Sequence, residues 1–215
     1  MAWLQEYSWT ARLTKWGWCA VLLLGELIVL VGQPYRHANW QLGLAAMLAM
    51  GVAFSAAGSF RRERETGLLE VLLVTPLSVR QLIGGRLWGI TCHYLPALAV
   101  LAVCFFGDRV LNARGYHGDL WALLYPNPAS FVAMMLVGLY LSLGRLNFLL
   151  AWAASWVLAF VIPASIAVSL GMLVQLETLQ VVCVCSSLQL VVGGLCGLLL
   201  ARALSVRAFL RPADA

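Results

Sequence analysis

The chain has 215 residues, 62% of them hydrophobic and only 11% charged, with a formal net charge of +5 and a mean hydropathy of +0.89. A soluble domain is about 45–50% apolar and about 25% charged, so this chain has too little polar surface to cover itself in water and calls for lipid as its solvent. Its arginines form no stripe interleaved with aromatics, which argues against a nucleic-acid binder and leaves the positive charge to report orientation.

A bilayer core needs about 20 predominantly apolar residues as helix, and the apolar runs predict six such spans. In chain order they cover residues 16–31, 40–60, 87–106, 129–143, 148–173 and 179–201. Ahead of the first, MAWLQEYSWTARLTK sets Trp3, Leu4, Tyr7 and Trp9 beside Glu6, Arg12 and Lys15. That pattern predicts an amino-terminal interfacial helix with its aromatic face among the headgroups. The first run contains Glu26 and ends in VGQP rather than a small-x-small cleavage site, so it is expected to remain as a span. The fourth run is short. The fifth is long and contains Pro163, which is expected to kink or end it and to set residues 164–176 apart as a short outer helix. No repeat or linker divides the chain, which reads as a single domain over residues 1–215. The six cysteines (Cys19, Cys92, Cys104, Cys183, Cys185 and Cys196) lie in apolar runs without a C-x-x-C pair, so no disulfide framework or metal centre is predicted.

Positive charge orients the spans. With the amino terminus inside, eleven of the fourteen basic residues fall on the cytoplasmic side: Arg12, Lys15, Arg61, Arg62, Arg64, Arg80, Arg86, Arg145, Arg202, Arg207 and Arg211. Arg36, Arg109 and Arg114 fall outside. Both termini are therefore expected in the cytoplasm, in the cytoplasmic (inner) membrane of the cell.

The loop between the second and third spans then faces the cytoplasm, and it reads RRERETGLLEVLLVTPLSVR from Arg61 to Arg80. On helical spacing, Glu63, Thr66, Gly67 and Glu70 make one polar stripe, with Leu68, Leu69, Leu72 and Leu73 around the rest. Thr75-Pro76 breaks this run, because proline disfavours helical geometry in the residue before it. Ser78 and Gln81 form a capping box for the next helix, with Leu77 stapled onto Leu82, so the third span should start near Val79. The loop thus predicts helix, sharp turn, helix. Its apolar residues either pack under the bundle or present a surface to another protein, and the two are compatible.

RERETGLLEVLLVTPLSVRQLIGGRLWG, residues 62–89, resembles the cytoplasmic loop of type-2 ABC exporter permeases. The positions that carry the resemblance are Glu65, Gly67, Glu70, Thr75, Pro76, Ser78, Gly85 and Arg86; Leu68 departs from it, standing where a threonine is common. GLYLSLGRLNFLLAW, residues 138–152, resembles the family's turn between spans four and five more weakly. The resemblance implies an all-α membrane permease with residues 61–80 as its coupling loop. That loop would dock on a cytoplasmic ABC ATPase subunit, with a second permease copy or homologue completing the transporter. Glu63, Glu65, Gly67, Glu70, Leu72, Thr75, Pro76 and Ser78 would be its coupling residues, and Glu63, Glu65 and Glu70 would touch the motor or hold the elbow.

The chain encodes no phosphate loop of its own. Walker A needs a lysine reaching from a glycine cradle, and the one lysine, Lys15, sits in RLTKW. No cofactor is therefore expected here, and the energy source would be a partner chain. Neither H-E-x-x-H nor G-x-S-x-G occurs, and His37, His93 and His117 lie in separate segments. Glu26, near the middle of the first span, is a candidate pathway residue, because an acidic group at that depth faces the bundle interior or water. The rival readings are a membrane-integral enzyme, dependent on His93 or Glu26 without an ATPase, and a non-transporting membrane anchor.

Overall fold

The structure, a computed structural model, describes residues 9–32, 37–67, 78–111, 128–144 and 146–206. Every regular element among them is helical. The elements are α1 (Trp9–Gly32), α2 (His37–Ser59), α3 (Arg61–Glu65), α4 (Val79–Leu111), α5 (Pro128–Ser142), α6 (Phe148–Trp156), a π-helical segment (Val157–Val161), α7 (Ile162–Val174) and α8 (Thr178–Val206).

Three stretches are long and apolar enough to cross a membrane: Val79–Cys104, Phe148–Val174 and Leu179–Ser205. Gly43–Ser59 and Pro128–Ser142 are apolar but shorter. Outward-facing leucines such as Leu149, Leu158, Leu190 and Leu198 stay exposed. In water they would form an apolar surface far beyond that of an ordinary soluble protein, so they fit a lipid boundary.

Side-chain register gives the helix directions. Gly25 lies against Leu44 and Gly51 against Trp18, so α1 and α2 are antiparallel. Phe54 stacks edge-on to Phe148, and the Trp152 indole Nε1 donates to the Met50 carbonyl at 3.2 Å, so α2 and α6 are antiparallel too. Ser130 pairs with Gln189, Ala133 touches Gly193 and Leu136 touches Gly197, so α5 and α8 run parallel. The ends of α2, α5 and α8 meet the start of α4 in one apolar cluster around Ala56, Phe60, Leu139, Leu143, Leu200 and Leu204.

α5 is the centre of the bundle, packed chiefly against α2 and α8. Its 15 residues span about 22 Å, less than the hydrocarbon thickness of about 30 Å. Burial on both flanks covers most of this short helix, with Val132 the large apolar side chain left exposed. Small residues make the close approach possible: a Cβ on Gly138 would stand 2.7 Å from the Ala56 Cβ, and one on Gly193 would stand 3.0 Å from the Ala133 Cα.

Two expectations change. Residues 9–15 do not form an interfacial helix of their own but belong to α1, because no glycine or proline interrupts the helix before Trp16; residues 1–8 lie outside the described residues. Residues 164–176 do not separate either. Pro163 sits in the first turn of α7, directly after the π segment, in which the Ile162 N–H reaches back to the Val157 carbonyl. Proline lacks an N–H and crowds the carbonyl four residues earlier. One widened turn gives that ring room without ending the helix. The helix ends instead at Gln175, whose φ of 53° is left-handed.

Candidate functional site: the elbow after α2 and its anchors

The elbow begins where α2 ends. Phe60 is fully buried, and the Arg64 N–H bonds to its carbonyl at 2.9 Å, which starts the five-residue α3 without a break. α3 stops at Glu65. Gly67 has φ +72°, its N–H returns to the Arg64 carbonyl at 3.2 Å, and the Thr66 hydroxyl donates to the Glu63 carbonyl at 3.2 Å. A left-handed residue just past a helix end is a helix stop that favours glycine. The predicted stripe through Glu63, Thr66, Gly67 and Glu70 is therefore broken at Gly67, since no helix runs through it. Glu65 is the last helical residue, whereas Glu70, Leu72, Thr75 and Pro76 lie outside the described residues.

On the far side, the Ser78 N–H donates to Gln81 Oε1 at 3.0 Å and the Gln81 N–H to Ser78 Oγ at 3.3 Å. These reciprocal bonds satisfy two donors that a helix start otherwise leaves open, and α4 begins at Val79.

Two arginines anchor the elbow. Arg86, two turns into α4, forms an ion pair with Glu63, their side chains 12% and 19% exposed. The same guanidinium donates to Ser59 Oγ at 3.4 Å and lies 5.4 Å from the Phe60 ring centroid, over its face. It therefore ties the end of α2, α3 and α4 together. Arg64 points the other way. Its Nη1 donates to the carbonyls of Leu143, at 2.9 Å, and Gly144. These carbonyls close the carboxyl end of α5, where backbone acceptors lack helical partners and the helix dipole favours a cation.

Sequence reading missed both anchors, because neither has a local signature. The Arg64 acceptors are 79 and 80 residues away in the chain, and from sequence Arg64 is only one more positive charge. Glu63 and Arg86 both stand out in the sequence, but the pairing that joins them does not.

Glu26 lies elsewhere. It is buried on the α1 face that carries Cys19 and Leu22 and is within electrostatic reach of Cys104 on α4. Arg86 and Cys104 are about 27 Å apart along α4 at 1.5 Å per residue, so the structure does not bring Glu26 and the elbow together. His93 meets Tyr94 edge-on at 5.1 Å. Three interior polar links also escaped the sequence reading. The Tyr94 hydroxyl bonds to the Gly51 carbonyl at 2.8 Å and shares a 2.7 Å bond with Ser55 Oγ. Ser130 Oγ donates to Gln189 Oε1 at 2.9 Å, with Gln189 fully buried. Trp152 ties α6 to α2 as described above. Such bonds are favoured where the alternative is a bare polar group in hydrocarbon.

Among the described residues, α3 and the two arginine anchors join the end of α2, the start of α4 and the end of α5. No protein-family model, curated protein or solved structure matches this chain.

Proposed function

We propose that this chain is the membrane-spanning subunit of an ABC exporter, with residues 61–80 as the loop that receives movement from a separate ATPase subunit. The observation that carries the reading is the anchored elbow: Glu63 paired with Arg86 on α4, and Arg64 bonded to the end of α5. Through these two tethers a movement of the loop would reach both α4 and α5. The resemblance of residues 62–89 to type-2 ABC exporter permeases supplies the rest of the reading.

In this reading α1, α2, α4, α5, the joined α6 and α7, and α8 make six spans in the cytoplasmic membrane, with both termini inside. The alternating helix directions and the charge distribution support that arrangement. Two copies, or one copy and a homologue, pair with two ATPases. Closure of the ATPases on ATP moves the elbows and switches access to a central pathway, for which Glu26 is the candidate contact. The chain itself catalyses no covalent step.

Cysteine labelling tests the topology. In a background lacking the six native cysteines, single cysteines at positions 66 and 207 should react only from the cytoplasm and one at position 114 only from outside. Labelling of 66 and 114 from the same face would contradict six spans.

Two substitutions test the coupling. Glu70→Lys reverses a charge in the loop, and a like-charge contact or a lost hydrogen bond at a partly buried interface costs about 2–5 kcal/mol. It should therefore weaken ATPase association by a factor of at least about ten. Pro76→Ala relaxes the turn and leaves the surface, so association should persist while export falls. Normal insertion, association and export by both variants would remove the loop from the mechanism.

A further inference from the structure

We infer that Arg64 is the positioning residue that links the elbow to α5, separately from the Glu63–Arg86 pair that links it to α4; its use in transport rests on the elbow being the docking point for the ATPase. α5 is buried between α2 and α8, and ten of its fifteen residues are buried outright. A helix so enclosed is reached from the cytoplasmic side chiefly through its end. There, one guanidinium nitrogen of Arg64 holds the carbonyls of both Leu143 and Gly144. Arg64 belongs to α3, so a tilt of the elbow pulls on the carboxyl end of α5 directly.

From there the motion has a route onward. Gly193 and Gly197 of α8 lie against Ala133 and Leu136 with no large side chain of α8 between them, so a displacement of α5 presses on α8 at once. Glu63 neighbours Arg64 but faces Arg86 instead. Adjacent residues of one short helix thus hold two different spans. An elbow movement reaches α4 and α5 through separate tethers, each of which can be cut alone.

Hydrogen exchange on the chain alone, in lipid nanodiscs, tests the link without any partner. Arg64→Ala should let the end of α5 fray, so that the Leu143 and Gly144 N–H groups, which bond to the Tyr140 and Leu141 carbonyls, exchange about tenfold faster or more, the scale of a lost charge-assisted bond, while the amides from Leu82 to Arg86 stay unchanged. Glu63→Gln should do the reverse. Arg64→Lys keeps the cation and should restore most of the protection. Unchanged exchange at Leu143 and Gly144 in Arg64→Ala, or equal loosening of α4, would overturn the inference.

A second measurement tests the use of the link. Spin labels at positions 172 and 146, and in a separate sample at 172 and 80, report ATP-driven distance changes at α5 and α4 in the complex with the ATPase. Arg64→Ala should abolish the change at 146 and keep the change at 80, whereas a general loss of structure would abolish both. A change at 146 that persists in Arg64→Ala also overturns the inference. Failure of the wild-type chain to bind any ATPase would instead defeat the proposed function, and the exchange result would still decide the link.

Discussion

Gly138→Leu should prevent the bundle from assembling. Even a Cβ at this position would stand 2.7 Å from the Ala56 Cβ and 3.3 Å from the Ala57 backbone nitrogen. Neither atom is the tip of a flexible side chain, so α2 and α5 would have to separate. Moving α5 away from α2 is resisted on its other side, where the Gly193 position closes on the Ala133 backbone. Overpacking of a close-packed interior costs about 1–3 kcal/mol for small additions. A full leucine at a backbone-to-backbone contact belongs with the exceptional losses above about 4 kcal/mol, comparable with the whole stability of a marginal domain. Gly84→Leu is the control, because nothing stands within 4 Å of a Cβ there, and it should be tolerated. Thermal unfolding in detergent reads both variants. A wild-type midpoint for Gly138→Leu would mean that α2 and α5 are not in contact as described.

The second large effect is expected from Arg86→Ala. The change removes the ion pair with Glu63, the bond to Ser59 and the contact with the Phe60 ring together. It leaves a mostly buried carboxylate without its cation. Removing one partner of a buried pair costs about 3–5 kcal/mol, and the residual exposure of Glu63 puts the expected loss near the bottom of that range. Glu63→Gln in the same chain should recover part of it, since the stranded charge is then gone. Sites that do not interact add to within about 0.3–0.5 kcal/mol. The four-member cycle, measured by denaturant midpoints, should depart from additivity by more than that. Additive behaviour would show that the pair does not hold the elbow.

What was legible in the sequence follows from the range of the forces involved. Apolar runs fix helical spans locally, because every backbone group in lipid must be satisfied within its own helix. Val79–Cys104, Phe148–Val174 and Leu179–Ser205 were therefore readable directly. The Ser78–Gln81 cap was readable for the same reason, since its partners lie three residues apart. The stop at Gly67 was misread as one position of a helical stripe. Spacing alone treats every residue as helical, and only backbone geometry reveals a left-handed glycine. Pro163, from sequence a kink or an end, does not end the helix. Proline signals a break, and the π turn that absorbs it carries no composition of its own. Arg64 and Gln189 act on partners 79 and 59 residues away, a relation that no local pattern encodes. α5 belongs to the same class, because a run of small and apolar residues announces a helix without saying that it will sit at the centre.

The proposed function requires the elbow to meet an ATPase. A photo-crosslinking amino acid at position 71, beside Glu70, activated in living cells that express the full chain, tests it most directly. The expected adduct is with one protein that carries Gly-x-x-x-x-Gly-Lys-Ser/Thr, and Glu70→Lys should reduce its yield at least about tenfold. An adduct only with lipid, or with a protein lacking a phosphate loop, would contradict it.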